Sequence, residues 1–273
     1  MIPIKIGIIG GSGFANPDFF QEESSKEIVT PFGKPSAPFR IGKVNGVECV
    51  LMARHGINHT IPPTYVNYRA NIWGLKELGC THIIATTACG SLREEIHPGD
   101  IIMFDTFIDR TNLRTSTFFD GVENTPTRGV CHIPMEPAFC NKLSEVIYES
   151  ACQNKVSAHP KGTVVCIEGP RFSSIAESKL YRSWGAHAVN MTAIPELCLA
   201  KELGLLYSAI GIVTDYDCWH EVIVNAQDVL KCFKKNIDKV SLLLQNVIPK
   251  ISTLPWDDEI TSLQKVVATS MVN

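Results

Sequence analysis

Short apolar runs, each ending abruptly in a polar or glycine-rich exit, alternate with stretches of helical period. This alternation narrows the fold more than any other feature of the chain. Residues 4–9 end in Gly10-Gly11-Ser12-Gly13, 47–53 in Arg54-His55-Gly56, and 82–88 in Cys89-Gly90-Ser91. Further on, 162–167 end in Glu168-Gly169-Pro170, 187–190 in Met191-Thr192, and 206–214 in Asp215-Tyr216-Asp217. Runs that are apolar at successive positions, rather than only at every second residue, suit strands covered on both faces. With helices between them, the pattern predicts an α/β fold, and in such folds ligands gather beyond the strand ends.

Asn45-Gly46 predicts a tight hairpin joining strands over 37–41 and 47–53. Helices are expected over 65–78, stopping at Gly79, and over 137–154, with Pro137 in the first turn. Another is expected over 175–184, where Ser174 and Glu177 form a capping box. The longest runs over 225–247, where Ala226, Val229, Leu230, Phe233, Ile237 and Val240 recur at three and four. A last helix is expected over 258–273. A strand is expected over 100–105, after the turn Pro98-Gly99. Residues 109–136 have no regular period and read as a long loop of the kind that covers binding sites. No repeat, low-complexity tract or linker divides the chain, so one domain over 1–273 is expected.

The 273 residues are 45% hydrophobic and 19% charged, with a net charge of −3 and no basic block. That balance gives no reason to expect nucleic acid or a membrane surface as partner. No apolar run approaches the roughly 20 residues of a membrane helix, and no secretory signal is expected at the start. The ten cysteines are scattered, mostly in apolar runs, with no CxxC pair. They predict buried thiols in a reducing compartment rather than disulfides or a metal site.

The stretch Asn190-Met191-Thr192-Ala193-Ile194-Pro195-Glu196 opens an apolar run that stops at Gly204. Thr192 occupies an N-cap position and Pro195 falls in the first turn, so a helix start with free N–H groups is expected. Such a start is an anion site. Ser12, Arg54-His55 and Thr87-Ala88 add hydroxyls, a cation and an imidazole that together suit one phosphate. Phe172 offers a face for a flat base. Asp215 and Asp217 are acceptors suited to an amino group or a ring-nitrogen proton. These groups would allow phosphate to attack an anomeric carbon while a carboxyl group helps a purine leave, through fixed charge and positioning.

Several motifs together are more specific than any one. Gly11-Ser12-Gly13, Ala53-Arg54-His55-Gly56, Thr86–Arg93, Glu168-Gly169-Pro170-Arg171-Phe172-Ser173-Ser174, Asn190-Met191-Thr192 and Thr214–Trp219 stand in the order found in one family. The chain resembles, over nearly its whole length, the methylthioadenosine phosphorylase branch of the trimeric purine nucleoside phosphorylases. The resemblance implies a twisted mixed β-sheet with a small distorted barrel, flanked by helices. It implies phosphorolysis of S-methyl-5′-thioadenosine, with adenosine second, by a cytoplasmic enzyme that also occurs in the nucleus. Phosphate is then a substrate, and neither metal nor organic cofactor is needed.

By the same resemblance, Ser12, Arg54, His55, Thr87, Ala88 and Thr192 bind phosphate. Met191 holds the ribose, and Phe172 and Ser173 line the base. Asp215 holds the purine at N7 and the 6-amino group and supports its departure, with Asp217 assisting. The assembly is a homotrimer, in which His132 reaches the neighbour's site near the methylthio group. Position 12 departs from the family's usual Thr but keeps a hydroxyl. The chain is also shorter than the family pattern between Trp219 and Leu230, so which of Val224, Ala226, Val229 and Leu230 meet the 5′ substituent stays open. Asn273 ends a tail that is usually more apolar.

The choice of purine turns on Ser173 and Asp215, where 6-oxopurine phosphorylases carry Glu and Asn. A carboxylate accepts from a 6-amino group, whereas an amide can donate to a 6-oxo group. The alternative activity is therefore phosphorolysis of inosine or guanosine. A nicotinamide-dependent oxidoreductase built on Gly10–Gly13 fails on glycine spacing. A non-catalytic nucleoside-binding protein and a nucleoside hydrolase differ from the expected enzyme in their dependence on phosphate.

Overall fold

The computed structural model describes residues 2–11, 14, 17–121, 126–220 and 224–272. Its strands are β1 (Ile6–Gly10), β2 (Gln21–Lys26), β3 (Phe39–Val44), β4 (Val47–Ala53), β5 (His82–Ser91), β6 (Ile101–Met103), β7 (Thr106–Arg110), β8 (Val130–Cys131), β9 (Ala158–His159), β10 (Thr163–Ile167), β11 (Ala188–Asn190), β12 (Leu206–Asp215) and β13 (Met271–Val272). Its helices are α1 (Tyr68–Glu77), α2 (Asn141–Gln153), α3 (Ile175–Ser183), α4 (Ala193–Glu202), α5 (Ala226–Thr253) and α6 (Asp257–Thr269). Eleven strands form one mixed sheet, and β8 pairs with β13 apart from it.

The runs of successive apolar residues are explained by cover on both faces. On β4 and β5, Val50, Met52, Ile83 and Ala85 pack with Ile72 and Leu75 of α1 and Leu197 and Leu199 of α4. Their neighbours in sequence, Cys49, Leu51 and Ile84, join Leu143 of α2 and Val240 and Leu243 of α5 on the other face. Each such aliphatic side chain contributes about 1.5–3 kcal/mol by leaving water.

The site follows from how β5 is shared. β12 runs parallel to β5 from His82 to Gly90 and occupies one edge. β1 pairs with the other edge over His82–Ala85, and β11 joins that same edge, antiparallel, at Gly90 and Ser91. Between β1 and β11, that edge of β5 has no described strand beside it over Thr86–Cys89. The sheet splits there, at the carboxyl ends of β1 and β4, and the split is the switch point at which an α/β sheet takes a ligand.

Two arms leave β5, one through β11, β10 and β7, the other through β12, β6 and β9. The chain passes directly from one arm to the other, since Phe104 and Asp105 alone separate β6 from β7. No ladder between described strands closes them into the small barrel that the resemblance implied.

Several elements depart from expectation. β2 is wholly exposed and wholly polar, a charged edge on β3 with no apolar alternation to announce it. β7 occupies the start of what reads as loop and pairs with β10. α2 begins at Asn141, not at Pro137: Ala138 and Phe139 are drawn into the core, and the Cys140 amide donates to the Tyr207 carbonyl at 2.9 Å. α5 continues past Val247 through Pro249. Pro249 has no N–H for the carbonyl of Gln245, and Asn45 Nδ2, from the β3–β4 turn, donates to that carbonyl at 2.9 Å instead. α6 stops at Thr269 and the chain turns into β13.

The Asn45-Gly46 turn has φ of 47° and 85°, as the hairpin requires. The capping box at Ser174 and Glu177 forms as expected. No described helix is long and apolar enough to cross a membrane. All ten cysteines are free, but only Cys49, Cys80, Cys89 and Cys166 are buried and Cys152 is exposed, so burial is less general than expected.

Candidate active site

A cleft of about 540 Å³ opens at the split in the sheet. It is lined by Arg54 and His55 from the exit of β4, Thr87 and Ala88 from β5, and Met191 and Thr192 after β11. Phe172 and Ser173, between β10 and α3, line it too, as do Asp215 and Asp217 at the end of β12. These are the expected site residues, brought together from positions as far apart as 54 and 217, apart from two. Ser12 lies outside the described residues. His132 does not line this cleft: it is exposed beyond β8, where its N–H donates to the Ser270 carbonyl at 2.9 Å. At the 5′ side, which the sequence left open, Ala226, Val229 and Leu230 of α5 line the cleft and Val224 does not, while Asn273 lies outside the described residues.

At one end of the cleft the groups suit an anion. Arg54 is 1% exposed, and its guanidinium grips Glu196 with two bonds, Nε to Oε2 at 2.7 Å and Nη2 to Oε1 at 2.8 Å. Its Nη1 donates to the Thr86 carbonyl at 2.9 Å. Burial alone would pull its pKa down, but the Glu196 charge outweighs it and holds the group above its ordinary value. Thr87 and Thr192 bring their hydroxyls to 3.1 Å of each other. Gly11 approaches Thr86 so closely that a Cβ there would meet the Thr86 carbonyl at 2.7 Å.

His55 is neutral. Burial first, then the Arg54 charge, lower its pKa to about 3. Its Nδ1 lies 2.8 Å from the Ile61 carbonyl, which can only accept, so Nδ1 carries the proton. Nε2 is then an acceptor and suits the protonated oxygen of a phosphate.

The expected anion site at a helix start is corrected. Thr192 is the N-cap of α4 but makes no capping bond, because its hydroxyl faces Thr87 instead. Ile194 is not helical (φ −114°, ψ 132°), and its amide goes to Cys166 Sγ at 3.4 Å. Pro195 has no amide to offer. The first turn is therefore not an array of free N–H groups, and the positive charge is that of Arg54.

The other end carries the acids. Asp215 Oδ1 accepts from the Thr214 hydroxyl at 2.6 Å and Oδ2 from the Asp217 amide at 3.0 Å. Burial, with the neighbouring Asp217 adding to it, raises the Asp215 pKa to about 6. Burial also raises that of Asp217, whose φ of 38° is an unusual one for a residue with a side chain. Asp217 Oδ2, Ser173 Oγ and Ser178 Oγ are buried with no hydrogen bond of good geometry among the described residues. Each such group costs about 1–3 kcal/mol if left unmatched. Gly90 admits this pair of acids, since a Cβ there would lie 2.9 Å from Asp215 Oδ2.

Two residues behind the cleft were invisible as such in the sequence. One is Glu196, the partner of Arg54. The other is Arg114, in the loop after β7, whose Nη1 donates at 2.7 Å to the carbonyls of both Met191 and Ile194. Its Nε donates to Glu168 Oε1 at 3.0 Å, while Glu168 Oε2 accepts from the Asn112 and Leu113 amides. Arg114 thus ties the loop to the turn that presents Met191 and Thr192. Among the described residues no group of three or more His, Cys, Asp or Glu could hold a metal ion.

The sequence model of the family described as "Phosphorylase superfamily" matches residues 5–249. The S-methyl-5′-thioadenosine phosphorylase of Anopheles gambiae is 57% identical over 271 residues, 98% of this chain and 97% of that protein. That of Danio rerio is 53% identical over 271 residues, 98% and 96% of the two. Among solved structures, methylthioadenosine phosphorylase from Schistosoma mansoni in complex with adenine superposes with a TM-score of 0.95 at 40% identity, covering 98% of this chain and 99% of that one. A mutant of adenosine/methylthioadenosine phosphorylase from the same organism, in complex with methylthioadenosine, gives 0.94 at 40%, covering 98% of each.

Proposed function

The chain belongs to the phosphorylase superfamily, among the S-methyl-5′-thioadenosine phosphorylases, and from that premise we propose how its cleft works. The protein is a pentosyltransferase. It converts S-methyl-5′-thioadenosine and phosphate to adenine and 5-methylthioribose 1-phosphate. The observation that carries this reading is one cleft with a buried cation and paired hydroxyls at one end and two raised-pKa acids at the other.

In this reading phosphate lies against Arg54, Thr87, Ala88 and Thr192, and Ser12 completes the set. His55 Nε2 accepts a hydrogen bond from the P–OH of monohydrogen phosphate, and the proton stays on the phosphate. Met191 packs against the ribose and Phe172 against the purine, with Ser173 and Asp217 at the base edge. Asp215 in its acid form donates to N7 while its carbonyl oxygen accepts from the 6-amino group. As the glycosidic bond lengthens, the proton passes to N7 and adenine leaves neutral, and a phosphate oxygen takes its place on the anomeric carbon. A pKa of about 6 keeps roughly a tenth of Asp215 protonated at pH 7 before any ligand adds to its burial. No cofactor enters the reaction.

The Asp215 carbonyl oxygen has no match on a 6-oxo group, which places 6-aminopurines first, and the apolar Ala226, Val229 and Leu230 at the 5′ side favour a methylthio group over a hydroxyl. Turnover at saturating phosphate is expected to be highest with methylthioadenosine, lower with adenosine and at least about 10²-fold lower with inosine. Faster turnover of inosine would assign the chain to the 6-oxopurine enzymes.

The working assembly in this reading is a homotrimer in the cytoplasm, with the nucleus a second location. Val130 and Val272, 48% and 55% exposed on the β8–β13 ribbon, stand beside the exposed His132. This ribbon covers the methylthio end of a neighbour's cleft. Light scattering is expected to give three times the chain mass, and His132→Ala is expected to raise the KM for methylthioadenosine without changing that for phosphate. A monomer with full activity would contradict the assembly.

A further inference from the structure

The Arg54 guanidinium can make five hydrogen bonds, and three are directed into the protein. Glu196 takes Nε and one Nη2 hydrogen, and the Thr86 carbonyl takes one on Nη1. One N–H remains on each terminal nitrogen. A side-on carboxylate fork fixes the plane of the guanidinium, and the third bond fixes its rotation within that plane. Glu196 is itself held, because the Tyr207 hydroxyl donates to its Oε1 at 2.7 Å. Arg54, Glu196 and Tyr207 are 1%, 0% and 2% exposed, and they come from the β4 exit, α4 and β12.

An isolated arginine would attract an anion more strongly than one already paired with a carboxylate. A fork with both angles fixed instead presents its two remaining N–H groups in a single geometry. We infer that Glu196 and Tyr207 are positioning residues for the phosphate substrate: they aim Arg54 and offset its charge, so that phosphate is held by direction more than by net charge. This rests on the proposed phosphate role of Arg54. Neither Glu196 nor Tyr207 lines the cleft, so both act through Arg54.

The test uses the full-length chain with Glu196→Asp and Tyr207→Phe. Aspartate keeps the charge but is one methylene too short to hold both contacts. Phenylalanine keeps the ring and leaves Oε1 with Arg54 Nη2 alone. Initial rates are measured against phosphate and against methylthioadenosine separately, together with the thermal shift caused by phosphate alone. Glu196→Asp is expected to raise the phosphate KM about tenfold, and Tyr207→Phe about threefold. Both should shrink the phosphate-induced thermal shift and leave the nucleoside KM within about twofold of wild type.

A merely structural pair would lower the melting temperature and leave the phosphate KM where it was, which would overturn the inference. If Glu196→Asp does not fold, Tyr207→Phe decides alone, and an unchanged phosphate KM there counts against it. Wild-type protein that releases adenine equally well without phosphate would instead remove the functional reading, a different failure seen before any variant is made.

Discussion

Replacing Asp215 by Asn is expected to lower kcat for methylthioadenosine by about 10²–10⁴-fold while changing its KM little. An Asn amide can copy both ground-state hydrogen bonds to adenine, donating to N7 and accepting from the 6-amino group. It cannot give up a proton as the base leaves. Turned over, the same amide donates to a 6-oxo group, so inosine turnover should rise relative to wild type. Methylthioadenosine turnover that stays at the wild-type level would show that the Asp215 proton is not used.

The same variant is expected to be more stable than wild type at alkaline pH. Burial raises the Asp215 pKa from 3.8 to about 6, so the folded chain holds this proton more tightly than the unfolded one. Stability is then present below the unfolded value and lost as pH rises through the window between the two, by roughly 3 kcal/mol. Asn carries no charge to bury, but it loses one acceptor, for the Thr214 hydroxyl or the Asp217 amide, at about 1 kcal/mol. The net gain near pH 8 is about 2 kcal/mol, and it should vanish and reverse near pH 4. Chemical denaturation at the two pH values reads this directly, and a variant less stable at both would place the raised pKa elsewhere.

Arg114→Ala is the second change with a large expected effect. The side chain is 2% exposed, its partner Glu168 sits in the turn after β10, and it also holds the carbonyls of Met191 and Ile194. Removing it takes a donor from those carbonyls and leaves the Glu168 carboxylate to the Asn112 and Leu113 amides. The Glu168 side chain is 18% exposed, so the cost lies at the low end of that for a buried pair, about 3 kcal/mol, or about 10 °C in melting temperature for a chain of this size. The nucleoside KM should rise as well, because Met191 loses its tether. Lys at this position is expected to recover little, since a single ammonium cannot reach the Glu168 carboxylate and the carbonyls of Met191 and Ile194 together. Unchanged melting and kinetics in Arg114→Ala would mean that the loop is held by other contacts.

What could be read from the sequence was whatever has a local cause. Cover on both faces makes β4 and β5 apolar at successive positions, over 49–53 and 83–85, and Asn45-Gly46 and Ser174 with Glu177 carry their own backbone chemistry. Arg54, Thr87, Thr192 and Asp215 were legible because each stands at the exit of such a run. β2 was not, since an exposed edge strand has no apolar pattern to impose. The α4 start looked regular, but the Ile194 amide goes to Cys166, 28 residues earlier. Glu196 read as an ordinary acid in a first turn, and its partner lies 142 residues away. Arg114 lay in a stretch without period, 77 residues from the carbonyl of Met191. Long-range partners of buried charges leave no trace in spacing, and the supports of the site lay there.

The central claim is that inorganic phosphate, held at Arg54, Thr87 and Thr192, attacks the sugar of an aminopurine nucleoside whose base leaves through Asp215. Adenine release from methylthioadenosine, followed in phosphate-free buffer and again with phosphate added, tests it most directly. The account predicts no turnover without phosphate, and with it one 5-methylthioribose 1-phosphate for each adenine. Adenine released at the same rate in both buffers, with free methylthioribose as the second product, would contradict it.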